Sequence, residues 1–282
     1  MRLNPFDTNK IDVRGGGGGR AGKLGCGAIV IAAIGSLVFG TDFVSTLGTV
    51  QSIDQATTSS RGSDMSEQEL CSQNEYSREA CSALQSLNQT WEPEFREADI
   101  EFRQPSLTFY SGRVRSGCGT ASSAAGPFYC PADMGIYIDT SFYDQLARLS
   151  GERGDFARLY VMAHEYGHHI QKLTGIADQI RSAQQQNPRR ANDLQVRMEL
   201  QADCYAGVWA AKNRDKVEQG DLEEGMNAAA AIGDDTIMER AGQRANPENF
   251  THGSSAQRMQ WLRRGFATQD EDQCDTFADL RS

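Results

Sequence analysis

The sequence has no excess of basic residues, no C-x-x-C pair of cysteines and only one long hydrophobic run. Its 282 residues include 28 Lys and Arg against 38 Asp and Glu, which gives a formal charge of -10. Nucleic-acid binding needs a basic surface that neutralises phosphates, so this charge balance argues against it. The mean hydropathy of -0.55 excludes a bundle of membrane helices. Hydrophobic residues still make up 39% of the chain, which excludes wholesale disorder.

The single hydrophobic run covers residues 24–40, about 17 residues without a charge, just long enough to cross a bilayer as a helix. Arg20 and Lys23 precede it and Asp42 follows it, so the positive-inside rule keeps the N-terminus in the cytoplasm. The prediction is a single-pass anchor in the inner membrane, with the C-terminal domain in the periplasm or outside the cell. A cleaved signal peptide and a buried core helix are the alternatives.

Four segments follow from this reading. Residues 1–23 form a cytoplasmic Gly-rich tail, residues 24–40 the anchor, residues 41–65 a flexible linker and residues 66–282 the exported domain. The polar tail and the linker, rich in Ser, Thr and Gln, are predicted to carry no fold.

Cys26 falls in the anchor, and six further cysteines lie beyond it. An even number in an exported domain predicts three disulfides, although sequence alone leaves fifteen pairings open. Short loops favour the pairs Cys71 with Cys81 and Cys118 with Cys130, which leaves Cys204 with Cys274. A zinc site made of cysteines is the competing interpretation, and the lack of a C-x-x-C pair counts against it.

The exported domain reads as a sheet followed by helices. A capping box at Ser66 starts a helical pattern that runs to Trp91, where Pro93 is expected to interfere. Strand-like stretches follow at residues 106–114, 127–130 and 135–139, and helical ones at residues 141–149, 155–174, 193–213, 222–232 and 254–265. This order predicts an α+β fold, a small antiparallel or mixed sheet followed by a mainly helical region.

The helix over residues 155–174 contains an HExxH motif formed by His164, Glu165 and His168. Residues four apart lie on one helix face, so both imidazoles can reach one metal ion, usually Zn²⁺. Glu165 is then placed to act as general base on a water molecule. The alternative is a buried helix with two core histidines. The next residue, His169, points about 100° away from His168 and cannot replace it.

The third ligand has to come from elsewhere, because the position of the metzincin histidine is Thr174. Glu199 and Asp203 are again four residues apart on a helix with many apolar neighbours. Glu199 is the predicted third ligand, and Asp203 is placed to orient a zinc-bound histidine. A solvated acidic helix face is the alternative.

Two imidazoles and one carboxylate leave one position of a tetrahedral zinc ion open, as in catalytic sites. The prediction is hydrolysis of a carbonyl compound by an activated water, with Glu165 carrying the proton to the leaving amine. A donor to the developing oxyanion is still required. The candidates are His252, Arg258 and Tyr166, with His252 preferred. A histidine that only caps the following helix or lies on the surface is the alternative for His252.

These residues stand in stretches that resemble the bacterial neutral zinc metallopeptidase family, namely HEYGHHIQ, RMELQADCYAG, THGSSAQRMQWLRRGF and CDTF. The similarity extends to GPFYCPAD and IYID and covers roughly residues 91–277. The resemblance implies a zincin-type peptidase with His164, His168 and Glu199 as metal ligands and Glu165 as the catalytic residue. By analogy with gluzincins, Asp203 supports the ligands.

In zincins an edge strand pairs with the extended peptide substrate, and residues 136–139 or 106–114 could supply that edge. The resulting hypothesis is a membrane-anchored zinc metallopeptidase whose partners are peptide or protein substrates. Two alternatives stay open: a catalytically silent binding or chaperone-like module with the zincin fold, and a zinc amidase that acts on cell-wall peptides.

Overall fold

The computed structural model describes residues 1–16, 65–152 and 154–280. The predicted anchor, residues 24–40, lies outside this part of the chain. Within it, no helix combines the length and the hydrophobicity that a membrane crossing requires.

A four-stranded mixed sheet consists of β1 (Asp12–Gly15), β2 (Ser106–Tyr110), β5 (Phe128–Cys130) and β6 (Gly135–Asp139). The order of the strands across the sheet is β1-β2-β6-β5. Strands β1, β2 and β6 are parallel, whereas β5 pairs antiparallel with β6. Every residue of β2 and β6 is buried, which is typical of interior strands covered on both faces.

Strand β1 corrects the prediction that the N-terminal tail carries no fold. Residues 12–15 pair with residues 106–109 of β2, and Ile11 and Val13 are buried in the main core. The backbone N–H of Val13 also donates to the Glu67 side chain. Glycine content made this segment look like a connector, but two apolar side chains and one row of backbone bonds suffice to add it to the sheet.

The predicted strand over residues 106–114 is two strands. The chain turns after β2 at Ser111 and Gly112, and Gly112 has a φ of +78°, which favours glycine. It then forms an antiparallel hairpin of β3 (Arg113–Ser116) and β4 (Gly119–Ser122), where a small-residue loop was expected. Both strands that were expected to offer an edge, residues 106–114 and 136–139, therefore contribute to interior positions of the main sheet. In the described sheet, β5 is the edge beside β6.

The first helical region was predicted as one helix that ends near Pro93. It is two helices, and the second continues past Pro93. Helix α1 (Glu67–Cys71) begins with the capping box at Ser66, and α2 (Glu75–Glu97) begins after a separate cap at Asn74. Pro93 lies inside α2. The helix continues past it because Trp91 and Phe95 are buried in the core, and this tertiary packing outweighs the one backbone bond that proline cannot donate.

Seven further helices follow the sheet in the described part of the chain. They are α3 (Ser141–Ser150), α4 (Asp155–Leu173), α5 (Ile176–Gln186), α6 (Ala191–Lys212), α7 (Asp221–Ala231), α8 (Asp234–Arg240) and α9 (Ser255–Thr268). The predicted α+β order is confirmed, and five of these helices match predicted ones within a few residues. Helices α5 and α8 were missed: α5 buries none of its residues, so it has no apolar stripe, and α8 has only seven residues.

Helix α6 is the centre of the helical region. Its residues from Met198 to Ala211 are all buried, so it is surrounded by other elements. Helix α9 crosses it closely: a Cβ on Gly207 would lie 2.1 Å from the carbonyl oxygen of Leu262, and one on Gly265 would lie 2.0 Å from that of Cys204. The two glycines therefore let the helix backbones touch.

The three expected disulfides are present: Cys71–Cys81, Cys118–Cys130 and Cys204–Cys274. They join α1 to α2, the β3–β4 hairpin to β5, and α6 to the C-terminal segment.

Candidate metal centre

Helix α4 places two imidazoles side by side. The rings of His164 and His168 lie with their centroids 4.9 Å apart and their planes at 86°. This is the shared face that the spacing of four residues predicts. The next residue, His169, is directed elsewhere, also as predicted: its Nε2 lies 2.6 Å from the carbonyl oxygen of Arg103.

Helix α6 brings a carboxylate to these rings. Oε2 of Glu199 lies 3.1 Å from Nε2 of His164 and 3.5 Å from Nε2 of His168. One ligand atom from each of the three residues lies within 4.8 Å of the other two. The three side chains that sequence reasoning selected are therefore in one place.

The approach of the two helices depends on a glycine inside the motif. A Cβ on Gly167 would lie 2.8 Å from Cα of Ala202, closer than atoms of packed residues come. Ala202 is flanked on α6 by Glu199, one turn earlier, and by Asp203. The contact between Gly167 and Ala202 thus brings both carboxylates within reach of the histidines.

Each imidazole has a hydrogen-bond partner at its other nitrogen. Nδ1 of His164 lies 2.8 Å from Oδ1 of Asp203, and Nδ1 of His168 lies 2.9 Å from Oε1 of Gln171. The amide nitrogen of Gln171 donates to the carbonyl of Met198, which turns its oxygen toward His168. Each ring can therefore donate its N–H from Nδ1, and with a metal ion bound Nε2 would supply the lone pair.

The two buried carboxylates of α6, those of Glu199 and Asp203, are held in their ionised form. Burial raises the pKa of Glu199, but His168 and His164 outweigh it and lower this pKa well below its usual range. Burial also raises the pKa of Asp203, and the Arg258 guanidinium with His164 reverses this and lowers the pKa to about 2. Because Arg258 balances the charge of Asp203, the carboxylate of Glu199 is the negative group beside the two imidazoles that attracts a cation.

Glu165 lies next to the ligand set and borders the same cleft. Its side chain is largely buried, and among the described residues no group hydrogen-bonds to its carboxylate. Burial raises the pKa of Glu165, with the nearby histidines partly offsetting it. This carboxylate is therefore free to accept a proton from a molecule in the cleft.

His252 borders the cleft from the loop before α9. Its Nδ1 lies 3.1 Å from Oδ1 of Asp234 and 3.0 Å from the hydroxyl of Thr251. The other carboxylate oxygen of Asp234 accepts the backbone N–H groups of Thr251, His252 and Gly253. Asp234 thus fixes both the loop and the ring, and it leaves Nε2 of His252 without a partner among the described residues.

The other two oxyanion candidates are placed differently. Tyr166 is fully buried on the far side of α4, where its hydroxyl donates to Asn88 at 2.9 Å, so it cannot reach the cleft. Arg258 borders the cleft but is only 2% exposed, and each of its three guanidinium nitrogens already has a partner. Of the three candidates, only His252 borders the cleft with a side-chain nitrogen, Nε2, that has no hydrogen-bond partner among the described residues.

The cleft has a volume of about 580 Å³ and runs along α4. Its lining includes apolar side chains, among them Phe142, Leu149, Val161, Ile232 and Ile237, and polar ones, among them Lys172, Asp178, Arg181 and Gln195. The metal ligands and Glu165 border the same cleft.

Strand β5 borders the cleft as well. Tyr129, at its centre, places its hydroxyl 3.0 Å from Nδ1 of His169, and this contact ties the edge strand to α4. The disulfide Cys118–Cys130 ties its end to the hairpin. An extended peptide could add to this edge of the sheet beside the ligand set.

A second group of acids, Asp155, Asp221 and Glu224, also has oxygens close together. The amino group of Met1 lies among them, 2.8 Å from Asp155 and 2.9 Å from Asp221. Because an ammonium group meets these charges, no metal is assigned there.

Two residues of the site were missed by sequence reasoning. Gln171 lies three residues after His168 on the same face, so helical spacing could have revealed it. Asp234 lies in a helix that was not predicted and far from His252 in the chain, so no local pattern could have linked the two.

The donor set fits a zinc ion. Imidazole nitrogens and a carboxylate oxygen are ligands that Zn²⁺ takes, and three protein ligands leave one position for water or substrate. The N–H partners Asp203 and Gln171 are the kind of outer support that zinc-binding histidines have.

Comparison with known proteins gives a match to one family and to several bacterial relatives. The family model described as "Putative neutral zinc metallopeptidase" matches residues 5–277. The chain is similar to the uncharacterized protein YpfJ of Escherichia coli K12, with 49% identity over 197 residues, which are 69% of each chain. It is also similar to the uncharacterized protein Mb2605 of Mycobacterium bovis, with 44% identity over 190 residues, 63% of this chain and 64% of that protein. No solved structure matches.

Proposed function

Since the chain belongs to the neutral zinc metallopeptidase family, as its motifs predicted, we propose that it is a zinc-dependent hydrolase of peptide bonds. The observation that carries this proposal is the convergence of His164, His168 and Glu199 beside a carboxylate that no described residue engages, that of Glu165.

His164, His168 and Glu199 would hold the zinc ion. When bound, Zn²⁺ supplies Lewis acidity that polarises a substrate carbonyl and makes a water molecule easier to deprotonate. Glu165 takes the proton of that water and passes it to the amine that leaves when the C–N bond breaks. Its buried position supports this role, because a raised pKa suits a group that must both accept and release a proton near neutral pH.

His252 would stabilise the negative charge that develops on the carbonyl oxygen. The contact of Nδ1 with Asp234 orients the ring so that Nε2 is the nitrogen available to the cleft. The role requires the imidazolium form, because Nδ1 donates to the Asp234 carboxylate and Nε2 must donate to the carbonyl oxygen as well. A fixed donor costs little reorganisation during the reaction, and loss of such a donor lowers kcat by roughly 10²–10³-fold in well-studied hydrolases.

The walls of the cleft support peptides as the substrates. Among the described strands, β5 lies at an edge of the sheet where an extended backbone can pair, and the apolar lining residues Phe142 and Ile237 fit an aliphatic or aromatic side chain of the substrate.

The test compares the purified protein with Glu165→Gln and with Glu97→Gln, an exposed control on α2. Zinc content is measured first, and a mixed peptide library is then digested and analysed by mass spectrometry. We expect stoichiometric zinc in all three proteins, cleavage by the wild type and by Glu97→Gln, and a loss of at least about 10²-fold in rate for Glu165→Gln.

Other outcomes select the alternatives. Bound zinc without cleavage of peptides or of cell-wall peptide fragments would favour a silent binding module. Cleavage of cell-wall fragments alone would identify an amidase. Absence of zinc binding by the wild-type protein would overturn the proposal.

A further inference from the structure

The carboxylate of Asp203 accepts hydrogen bonds from three side chains, which belong to two other helices. Oδ1 lies 2.6 Å from the hydroxyl of Tyr160, 2.8 Å from Nδ1 of His164 and 3.0 Å from Nη2 of Arg258. Oδ2 accepts Nε of Arg258 at 2.9 Å. Both oxygens are therefore occupied, and Arg258 holds them together as a fork.

This cluster is sealed from solvent. Asp203 is fully buried, Tyr160 is 1% exposed and Arg258 is 2% exposed. Nη2 of Arg258 also lies 3.0 Å from the hydroxyl of Tyr160, so the two donors contact each other as well as the carboxylate. A buried carboxylate without a positive partner would be strongly destabilised, and Arg258 supplies the balancing charge.

The three residues come from three different helices. Tyr160 lies on α4, one turn before His164, Asp203 lies on α6, and Arg258 lies on α9. The backbone contact of α6 with α9 at Gly207 and Gly265 brings Arg258 over Asp203. A further bond from Nη1 of Arg258 to the carbonyl of Ile232 fixes the guanidinium at the end of α7.

Geometry explains why this arrangement matters to His164. When an imidazole donates Nδ1–H to a carboxylate, the orientation of the ring is fixed only if the carboxylate itself is held in a fixed orientation. A carboxylate with one donor can rotate about its Cβ–Cγ bond. The fork of Arg258 fixes the plane of the Asp203 carboxylate, and Tyr160 fixes the position of the oxygen that His164 uses.

We propose that Arg258 and Tyr160 are positioning residues of the metal centre, which lock Asp203 so that His164 presents Nε2 to the ion. The inference rests on the proposed function, because it takes His164, His168 and Glu199 as the zinc ligands. It assigns to Arg258 a role different from the oxyanion donor expected from sequence.

The test measures zinc affinity by competition with a chelator for the wild type, Arg258→Lys, Tyr160→Phe and Asp203→Asn. Arg258→Lys keeps the charge and loses the fork, and Tyr160→Phe removes one hydroxyl. Outer partners of zinc ligands typically contribute 10–100-fold in affinity, so we expect Kd to rise by about 10-fold or more for Arg258→Lys and by a few-fold for Tyr160→Phe.

Two matched variants control for general damage. Arg158, on α4, also forms a bidentate contact, in which Nε and Nη2 lie 2.6 and 2.7 Å from the carboxylate oxygens of Glu79. Arg158→Lys alters this contact, which involves none of the metal ligands. Tyr166→Phe removes another buried hydroxyl of the same helix, directed at Asn88. Both should leave Kd for zinc unchanged even if they lower the melting temperature of the metal-free protein.

Two readouts separate positioning from mere stability. The visible spectrum of the Co²⁺-substituted protein reports ligand geometry, and it should change in Arg258→Lys and Tyr160→Phe but in neither control. If Arg258 acts through Asp203, the double variant Asp203→Asn with Arg258→Lys should bind zinc about as weakly as Asp203→Asn alone.

Each failure has a distinct signature. A wild-type protein that binds no zinc refutes the proposed function itself. A wild type that binds zinc, with Arg258→Lys and Tyr160→Phe equal to it in Kd and cobalt spectrum, overturns the positioning role. The positioning role is also overturned if the two control variants lose zinc affinity to the same extent as Arg258→Lys and Tyr160→Phe. If Arg258→Lys does not fold, Tyr160→Phe decides, since it removes no charge.

Discussion

The three histidines of α4, His164, His168 and His169, have different roles because their surroundings differ. His164 donates to a carboxylate and His168 to an amide oxygen, and both keep Nε2 for a metal ion. His169 is fully buried, and burial lowers its pKa to about 4, so its ring is neutral at pH 7. Because a carbonyl oxygen can only accept, Nε2 of His169 donates to Arg103, and Nδ1 accepts the hydroxyl of Tyr129. His169 thus holds Tyr129 of β5 through one nitrogen and the segment before β2 through the other.

Asp234 gives a residue-scale prediction about pH. Burial raises its pKa, but His252 and the backbone N–H groups of the loop outweigh this and leave it below the usual value. The folded-state pKa is therefore lower than the unfolded-state one. Its ionised form stabilises the fold above the unfolded pKa of about 4, and this contribution is lost as pH falls through the folded pKa.

We expect Asp234→Asn to lower the free energy of unfolding in urea by about 1–3 kcal/mol at pH 7. The difference from wild type should shrink as the pH falls below about 4, because wild-type Asp234 then also loses its charge. Asp215→Asn, at a carboxylate whose side chain is 75% exposed, is the control and should change little. A difference that stays constant from pH 7 to pH 3 would contradict the argument.

At the scale of elements, the contact of α4 with α6 decides whether the ligands meet. Gly167→Ala should push the helices apart, since the new Cβ would meet backbone at 2.8 Å. We expect a loss of about 1–3 kcal/mol in stability, the usual cost of overpacking. Zinc affinity should fall as well, because Glu199 moves away from the histidines.

Gly225→Ala provides the comparison for this variant. A Cβ there would lie 2.6 Å from the Phe156 ring, at a helix contact that carries no ligand. It should lower the melting temperature without a change in zinc affinity. Equal affinity in Gly167→Ala and wild type would show that the close contact is not required for the site.

The hairpin and the edge strand form a second unit that depends on one covalent bond. Replacing Cys118 and Cys130 together by Ser should cost roughly 2–4 kcal/mol, the usual contribution of a disulfide. Because β5 borders the cleft, KM for a peptide identified by library digestion should rise more than kcat falls.

The pair Cys71 and Cys81 closes a segment of similar length far from the cleft and serves as the matched control. Its replacement by Ser should lower the melting temperature to a similar extent and leave KM unchanged. An unchanged KM in both double variants would show that β5 takes no part in substrate binding.

At the scale of the molecule, the pairing of β1 with β2 bears on the membrane prediction. Paired strands lie on the same side of any membrane, whereas a single crossing by residues 24–40 would separate residues 1–16 from the domain. The pairing of β1 and a single crossing by residues 24–40 exclude each other, and the two arrangements differ in where the N-terminus lies.

Labelling of intact cells with a membrane-impermeant maleimide distinguishes them. Asn9→Cys and Glu97→Cys place a thiol at exposed positions in the N-terminal segment and on α2, in a background with Cys26→Ser. We expect the two thiols to react to the same extent, because the sheet joins their segments. Reaction of Glu97→Cys alone, with Asn9→Cys reacting only after lysis, would support a single crossing and exclude the pairing of β1.

The amino-acid sequence by itself determined what depends on neighbours along the chain. The face shared by His164 and His168, the sheet-then-helix order and the two short-range disulfides follow from spacing and periodicity, which act within a few turns or one loop. Tertiary structure alone decided the rest: the addition of β1 to the sheet, β5 as the edge beside the cleft, the Asp234 contact with His252, and the grip of Arg258 on Asp203. Each of these joins segments far apart in sequence, and such contacts depend on how whole elements pack, which no local pattern encodes.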